Sequence, residues 1–112
     1  MTDERRRAIR ISRQETVKVE LVIEDSNIPP LVFECNSRDF SRQGIRLHGR
    51  QPLEKDIDVN LMVHLQEEQK DLNLVGTIKW VTETTEKEYL AGLQLSESSD
   101  TDIGEWHLLF SE

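Results

Sequence analysis

Residues 56–66 read DIDVNLMVHLQ, and their spacing decides what this stretch can fold into. Ile57, Val59, Leu61, Val63 and Leu65 take every second position, with Asp58, Asn60, His64 and Gln66 between them. A helix, turning about 100° per residue, would scatter those five apolar side chains around its circumference. A strand sends alternate side chains to opposite faces, so it alone gathers them against a core.

The same period recurs along the chain. Val17, Val19, Leu21 and Ile23 alternate with Lys18, Glu20 and Glu24. Residues 27–30 break that strand, and Leu31, Phe33 and Cys35 resume the alternation. Residues 36–44 read as a polar loop. Ile45 and Leu47 form a short strand with Arg46 and His48 on its opposite face, stopped by Gly49. LNLVGTIKWVT (residues 72–82) predicts a longer strand in which Gly76 marks a bulge or bend. A turn in TETTEKE leads to Tyr89, Ala91, Leu93 and Leu95. The spacing then turns helical, with Ile103, Trp106 and Leu109 or Phe110 in phase after several N-cap candidates. About six strands with short connections and one terminal helix predict an all-β chain, a small antiparallel barrel.

Its 112 residues suit one domain, and no stretch has the apolar length of a membrane span, so membrane insertion is not expected. The charged N-terminus lacks the apolar region of a signal peptide. Cys35 is the only cysteine, so no intrachain disulfide can form, which fits a cytoplasmic location.

The net charge of −8 is unevenly spread: residues 1–50 carry a net +2 and residues 51–112 a net −10. So acidic a body argues against a nucleic acid polymer as partner, because duplex affinity comes mainly from neutralising phosphates. An RNA- or DNA-binding barrel would also need exposed aromatic platforms, and this chain has few aromatics. Four arginines nevertheless crowd the stretch ERRRAIR (residues 4–10), where like charges repel. They make a local anion site on a negative body, suited to a small anionic ligand.

A second unusual stretch, NSRDFSRQGIRL (residues 36–47), sets Asp39, Ser41 and Gly44 at D-x-S-x-x-G spacing. Read alone, each stretch has a plain structural explanation. Asp and Ser bond their own backbone in turns, Gly serves a positive φ, and terminal charge runs are solvated. His48, His64 and His107 lack metal-ligand spacing, and no nucleophile–base or paired-carboxylate arrangement stands out. Cys35 reads as buried packing. Trp80 shares a strand face with Ile78 and Leu74, which fits a core position as well as a ligand border.

Taken in order, R-x-x-x-R (Arg6, Arg10) and D-x-S-x-x-G about thirty residues later resemble the signature of PilZ domains, receptors for the bacterial second messenger cyclic di-GMP. GTIKWV followed by YLAGLQL is similar to the family's Gly-x-x-x-Trp strand and the Gly-containing strand after it. Leu95 stands where the family would have phenylalanine. The resemblance implies a six-stranded antiparallel PilZ-type barrel over residues 14–112 with a C-terminal helix, preceded by a flexible arginine-rich arm over residues 1–13.

The resemblance further implies a binding module rather than an enzyme, with cyclic di-GMP as ligand, no other cofactor, and an unidentified protein as partner. Arg6 and Arg10 would grip phosphate and guanine, with Arg5 and Arg7 assisting. Arginine suits both, since its fork donates two parallel bonds to a phosphate or a guanine edge and its flat face stacks on a purine. Asp39 would accept from guanine N–H donors, Ser41 would bond from the same segment, Gly44 would let backbone approach, and Trp80 would border the ligand. Arg5, just before R-x-x-x-R, implies two stacked ligand molecules per chain. The competing expectation is a ligand-free PilZ-like domain that binds only protein.

Overall fold

A computed structural model describes residues 10–21, 31–84 and 87–110. Seven strands and one short helix appear there: β1 (Arg10–Ile11), β2 (Thr16–Leu21), β3 (Leu31–Ser41), β4 (Gly44–Gly49), β5 (Asp58–Leu65), β6 (Lys70–Glu83), β7 (Tyr89–Leu95) and α1 (Ile103–Leu108). The hydrogen-bonded order runs β3-β2-β5-β6-β7-β4, and β4 returns to β3. Every pairing is antiparallel. The sheet therefore closes on itself as a six-stranded barrel. The extra strand β1 pairs with the far end of β3, Arg10 opposite Ser41 and Ile11 opposite Phe40.

The alternation read from the sequence becomes the barrel's inside and outside. Along β5, Val59, Leu61, Val63 and Leu65 are buried while Asp58, Asn60, Met62 and His64 are exposed. Val17 and Val19 of β2 and Leu72, Leu74 and Ile78 of β6 join the same core. α1 closes one end with Trp106, which is fully buried. Its ring lies 4.9 Å from Phe40 and 5.9 Å from Phe110, centroid to centroid. The indole Nε1 donates to the carbonyl oxygen of Ser41 at 3.0 Å, which ties the helix to the end of β3. Asp102, just before α1, pairs with Asn73 of β6 through both its backbone N–H and its carboxylate, each bond 2.8 Å.

Three local expectations change. The polar loop expected over residues 36–44 is strand as far as Ser41, and only Arg42 and Gln43 turn the chain. Ser37 occupies an inward position there because its hydroxyl is bonded on both sides, and the β3–β4 register slips between Ser37 and Asp39, which turns Asp39 to the outer face. The buried Ser37 hydroxyl accepts from the backbone N–H of Glu15 at 2.8 Å and donates to the carbonyl of Arg13 at 2.6 Å. The irregularity expected at Gly76 falls two residues later: Gly76 pairs in register with Val59 and Leu95, while the β6–β7 pairing slips between Ile78 and Trp80. A β-carbon at Gly76 would press on Leu93 and Leu61 at 3.3 and 3.4 Å, so packing accounts for this glycine. The slip separates Trp80 from the core face: Ile78 is fully buried and Trp80 is 40% exposed.

Candidate functional site

The β3–β4 hairpin sets the site. With only Arg42 and Gln43 in the turn, Phe40 faces Ile45 and Asp39 faces Arg46 across the two strands. Opposite charges at directly paired positions attract, and here they form a fork. Arg46 Nε donates to Asp39 Oδ1 at 2.9 Å, and Arg46 Nη2 donates to Oδ2. Arg10, brought alongside by β1, donates from Nη1 to the same Oδ1 at 2.8 Å. Asp39 is buried with both oxygens occupied. Arg46, and secondarily Arg10, hold its carboxyl below the usual range against the opposing effect of burial, and Arg46 is raised in return.

An open pocket of about 310 Å³ lies beside this triad. Arg10, Ser41, Gly44 and Arg46 form one side, and Lys79, Trp80, Gly92 and Gln94 form the other. The slip after Ile78 makes the second side, since it turns Lys79 and Trp80 outward together. Trp80 lies against Gly92, the only residue type whose surface would let an indole approach so closely. No carboxylate is among the residues lining the pocket, and three cationic side chains are. A planar anion entering it would meet guanidinium forks at one wall and an aromatic face at the other.

The structure thus brings together Arg10, Ser41, Gly44 and Trp80 around one cavity, with Asp39 behind Arg10. Arg5, Arg6 and Arg7 lie outside the described residues. Gly44 has a packing reason of its own, since a β-carbon there would stand 2.9 Å from the Leu93 carbonyl oxygen of β7. A positive φ is not that reason, because no described glycine has one. Sequence reasoning did not place Arg46, Lys79, Gln43 or Gln94 in the site. Arg46 had a usable signal: a two-residue turn at Arg42–Gln43 pairs it with Asp39.

The root of the arm is held by charge. Arg13 grips Glu68 with two bonds, 3.1 Å from Nη1 and 2.8 Å from Nη2, and also bonds the buried Glu15. Its guanidinium lies 5.9 Å from the centre of the Phe40 ring. Glu68 raises Arg13 above the ordinary arginine range, and Arg13 lowers Glu68. The histidines sit apart, His48 against Glu88 at 2.7 Å and His64 against Asp71 at 2.6 Å. Burial pushes the Cys35 thiol up to about 11, which keeps it protonated. Among the described residues no helix is long and apolar enough to cross a membrane, and no three His, Cys, Asp or Glu side chains group as metal ligands do.

Comparison with known proteins gives one family and a consistent fold. The model of the PilZ domain matches residues 4–109. The inhibitor of motility MotI/DgrA of Bacillus subtilis superposes with a TM-score of 0.68 at 14% identity, over 91% of this chain and 47% of that one. MrkH of K. pneumonia in its apo state gives 0.67 at 15% identity, over 90% of this chain and 47% of its own. A second crystal of MrkH gives 0.64 at 16% identity and 93% of this chain. At these identities the likeness is one of fold, and the chain spans about half the length of each structure. No curated protein sequence matches.

Proposed function

This chain belongs to the PilZ domain family, a family of cyclic di-GMP receptors, and on that premise we propose that it binds cyclic di-GMP and reports it to a protein partner. The observation that carries the reading is the pocket itself, where Arg10, Arg46, Lys79 and Trp80 converge from three strands beside Ser41 and Gly44. Forks and a flat aromatic face are what a ligand with two phosphates and two guanines requires.

On this reading Arg6 and Arg10 grip phosphate and guanine, Arg5 and Arg7 assist, and Trp80 borders a base. When Arg10 turns to phosphate it vacates one acceptor position on Asp39 Oδ1, which then takes a guanine N–H. Docking of the arm onto the barrel changes the surface around Arg46 and His48, where a cytoplasmic partner senses it. The module works by binding and not by catalysis. Arg5, a third guanidinium beside Arg6 and Arg10, balances a second dianion, so two stacked molecules bind per chain and Arg5→Ala lowers the count to one.

Calorimetric titration with cyclic di-GMP, GTP and a short oligonucleotide tests the reading. Saturable binding of cyclic di-GMP in clear preference to the other two is the expected result. Absence of cyclic di-GMP binding would overturn it in favour of a domain that binds only protein, and preference for the oligonucleotide would overturn it in favour of a nucleic-acid barrel.

A further inference from the structure

Asp39 has two arginine partners of very different freedom. Arg46 stands in the middle of β4, paired across to Asp39 on β3 and to Gly92 on β7, and it holds both carboxylate oxygens. Arg10 stands on the two-residue strand β1, pairs with β3 alone, and holds a single oxygen through one bond. Asp39 is only 6% exposed, so stripped of both arginines it would be a buried carboxylate without a counter-ion, which is strongly unfavourable.

We propose that Arg46 is a positioning residue: the fixed counter-ion of Asp39 that lets Arg10 leave the carboxylate and turn to an incoming phosphate. This rests on reading the pocket as a cyclic di-GMP site. With Arg46 in place, Arg10 exchanges one charge-assisted bond for others and Asp39 stays compensated. Without Arg46, Arg10 becomes the sole partner of Asp39, and ligand must compete with a buried ion pair to recruit it. The same arginine that lines the pocket therefore acts through Asp39, by deciding which guanidinium is free.

The two partners' unequal hold on Asp39 is measurable without ligand. Carboxyl carbon NMR would follow the titration of Asp39 in the full chain and in its Arg46→Met and Arg10→Met variants. Arg46→Met should raise the Asp39 midpoint more than Arg10→Met does. Arg46→Lys, which keeps the charge and loses the fork, should fall between the unsubstituted chain and Arg46→Met, and serves if the methionine variant does not fold. A larger displacement from Arg10→Met, or none from either Arg46 variant, overturns the proposal.

Calorimetry with cyclic di-GMP supplies the second arm. Arg46→Met should weaken binding about ten-fold or more, and adding Asp39→Asn should recover part of that loss by removing the carboxylate that traps Arg10. An arginine acting only by direct contact gives no recovery, and that outcome overturns the proposal. If the unsubstituted chain itself does not bind, the functional reading fails, and the carboxyl titration still decides the role of Arg46.

Discussion

Trp80 lies across Gly92 so closely that a β-carbon at position 92 would stand 2.2 Å from the indole Nε1 and 2.3 Å from Cε2. The two residues face each other in the β6–β7 register, just past the slip that turns Trp80 outward. The indole wall of the pocket therefore depends on a glycine of the neighbouring strand. Gly92→Ala should push the ring off the strand and cost about 1–3 kcal/mol of stability, as overpacking does. Because Trp80 can yield toward solvent, the barrel should still fold. Tryptophan emission, with Trp106 fully buried as an internal reference, should shift through Trp80. Calorimetry should show cyclic di-GMP binding weakened about ten-fold, and unchanged binding would mean that the indole does not border the ligand.

The arginines give a direct test of the ligand clamp. Arg10→Ala and Arg6→Ala should each weaken binding while thermal melts stay near those of the unsubstituted chain. A hydrogen bond to a charged group contributes roughly 1.5–3 kcal/mol, which corresponds to about ten- to a hundred-fold in affinity. Asp39→Ala should also lower selectivity for cyclic di-GMP over cyclic di-AMP, because adenine presents its donors differently and lacks the adjacent N1–H and N2–H pair of guanine. Retained selectivity would leave Asp39 as a partner of arginines alone.

Asp39 also makes a pH prediction whose sign follows from its partners. Arg46 and Arg10 lower its carboxyl in the folded chain, whereas in the unfolded chain it titrates near the ordinary value of about 3.9. Between those two points the unfolded state binds more protons, so stability rises with pH there. The contribution is fully present above the unfolded value and is lost as pH falls through the folded one. Urea unfolding between about pH 5 and pH 2 should show the unsubstituted chain losing stability relative to Asp39→Asn. Parallel curves would mean that the ion pairs are not held in solution.

The barrel was legible because β2, β5 and β7 each carry an uninterrupted run of apolar residues at period 2, and the run of β6 is broken only at Gly76. The second half of β3 was not, and the reason is physical. Its inward position after Cys35 is the polar Ser37, satisfied by Glu15 and Arg13, and the β3–β4 register then slips, so that Asp39 shares the outer face with Arg46 and is covered by Arg46 and Arg10. Those partners come from 22 to 29 positions away in three of these bonds, beyond what local alternation can register. Trp80 was ambiguous for a related reason: one slipped register converts a core position into a pocket wall, and periodicity counts residues without seeing slips. Arg10, Ser41 and Gly44 were legible as a motif, yet Arg46 became visible only with the turn between β3 and β4.

Arg13 should matter to stability more than to ligand. Glu15 is 4% exposed, and its carboxylate is met by Arg13 and by the backbone N–H of Gln66 at 3.1 Å. Arg13→Met would leave that buried charge with one neutral donor, a change that costs on the order of 3 kcal/mol. Chemical denaturation should report the loss. Adding Glu15→Gln should recover much of it, since a neutral amide needs no counter-ion. Recovery separates the ion pair from the packing of Arg13 against Phe40, which both variants would lose equally.

Deleting residues 1–9 tests whether the arm is part of the receptor. The barrel closes through β3 and β4 without β1, so the shortened chain should keep its circular dichroism and a cooperative melt. Its pocket would retain Arg10, Arg46 and Lys79, but Arg46 is committed to Asp39 through two bonds. Two cations would then face a ligand with two phosphates, and the guanidinium groups of Arg5, Arg6 and Arg7 would be gone. At roughly 1.5–3 kcal/mol for each charged bond lost, the loss of even two should weaken binding about a hundred-fold or more. Calorimetry on the shortened chain checks this, and affinity within a few-fold of the full chain would place the whole site on the barrel and leave arm docking without a role.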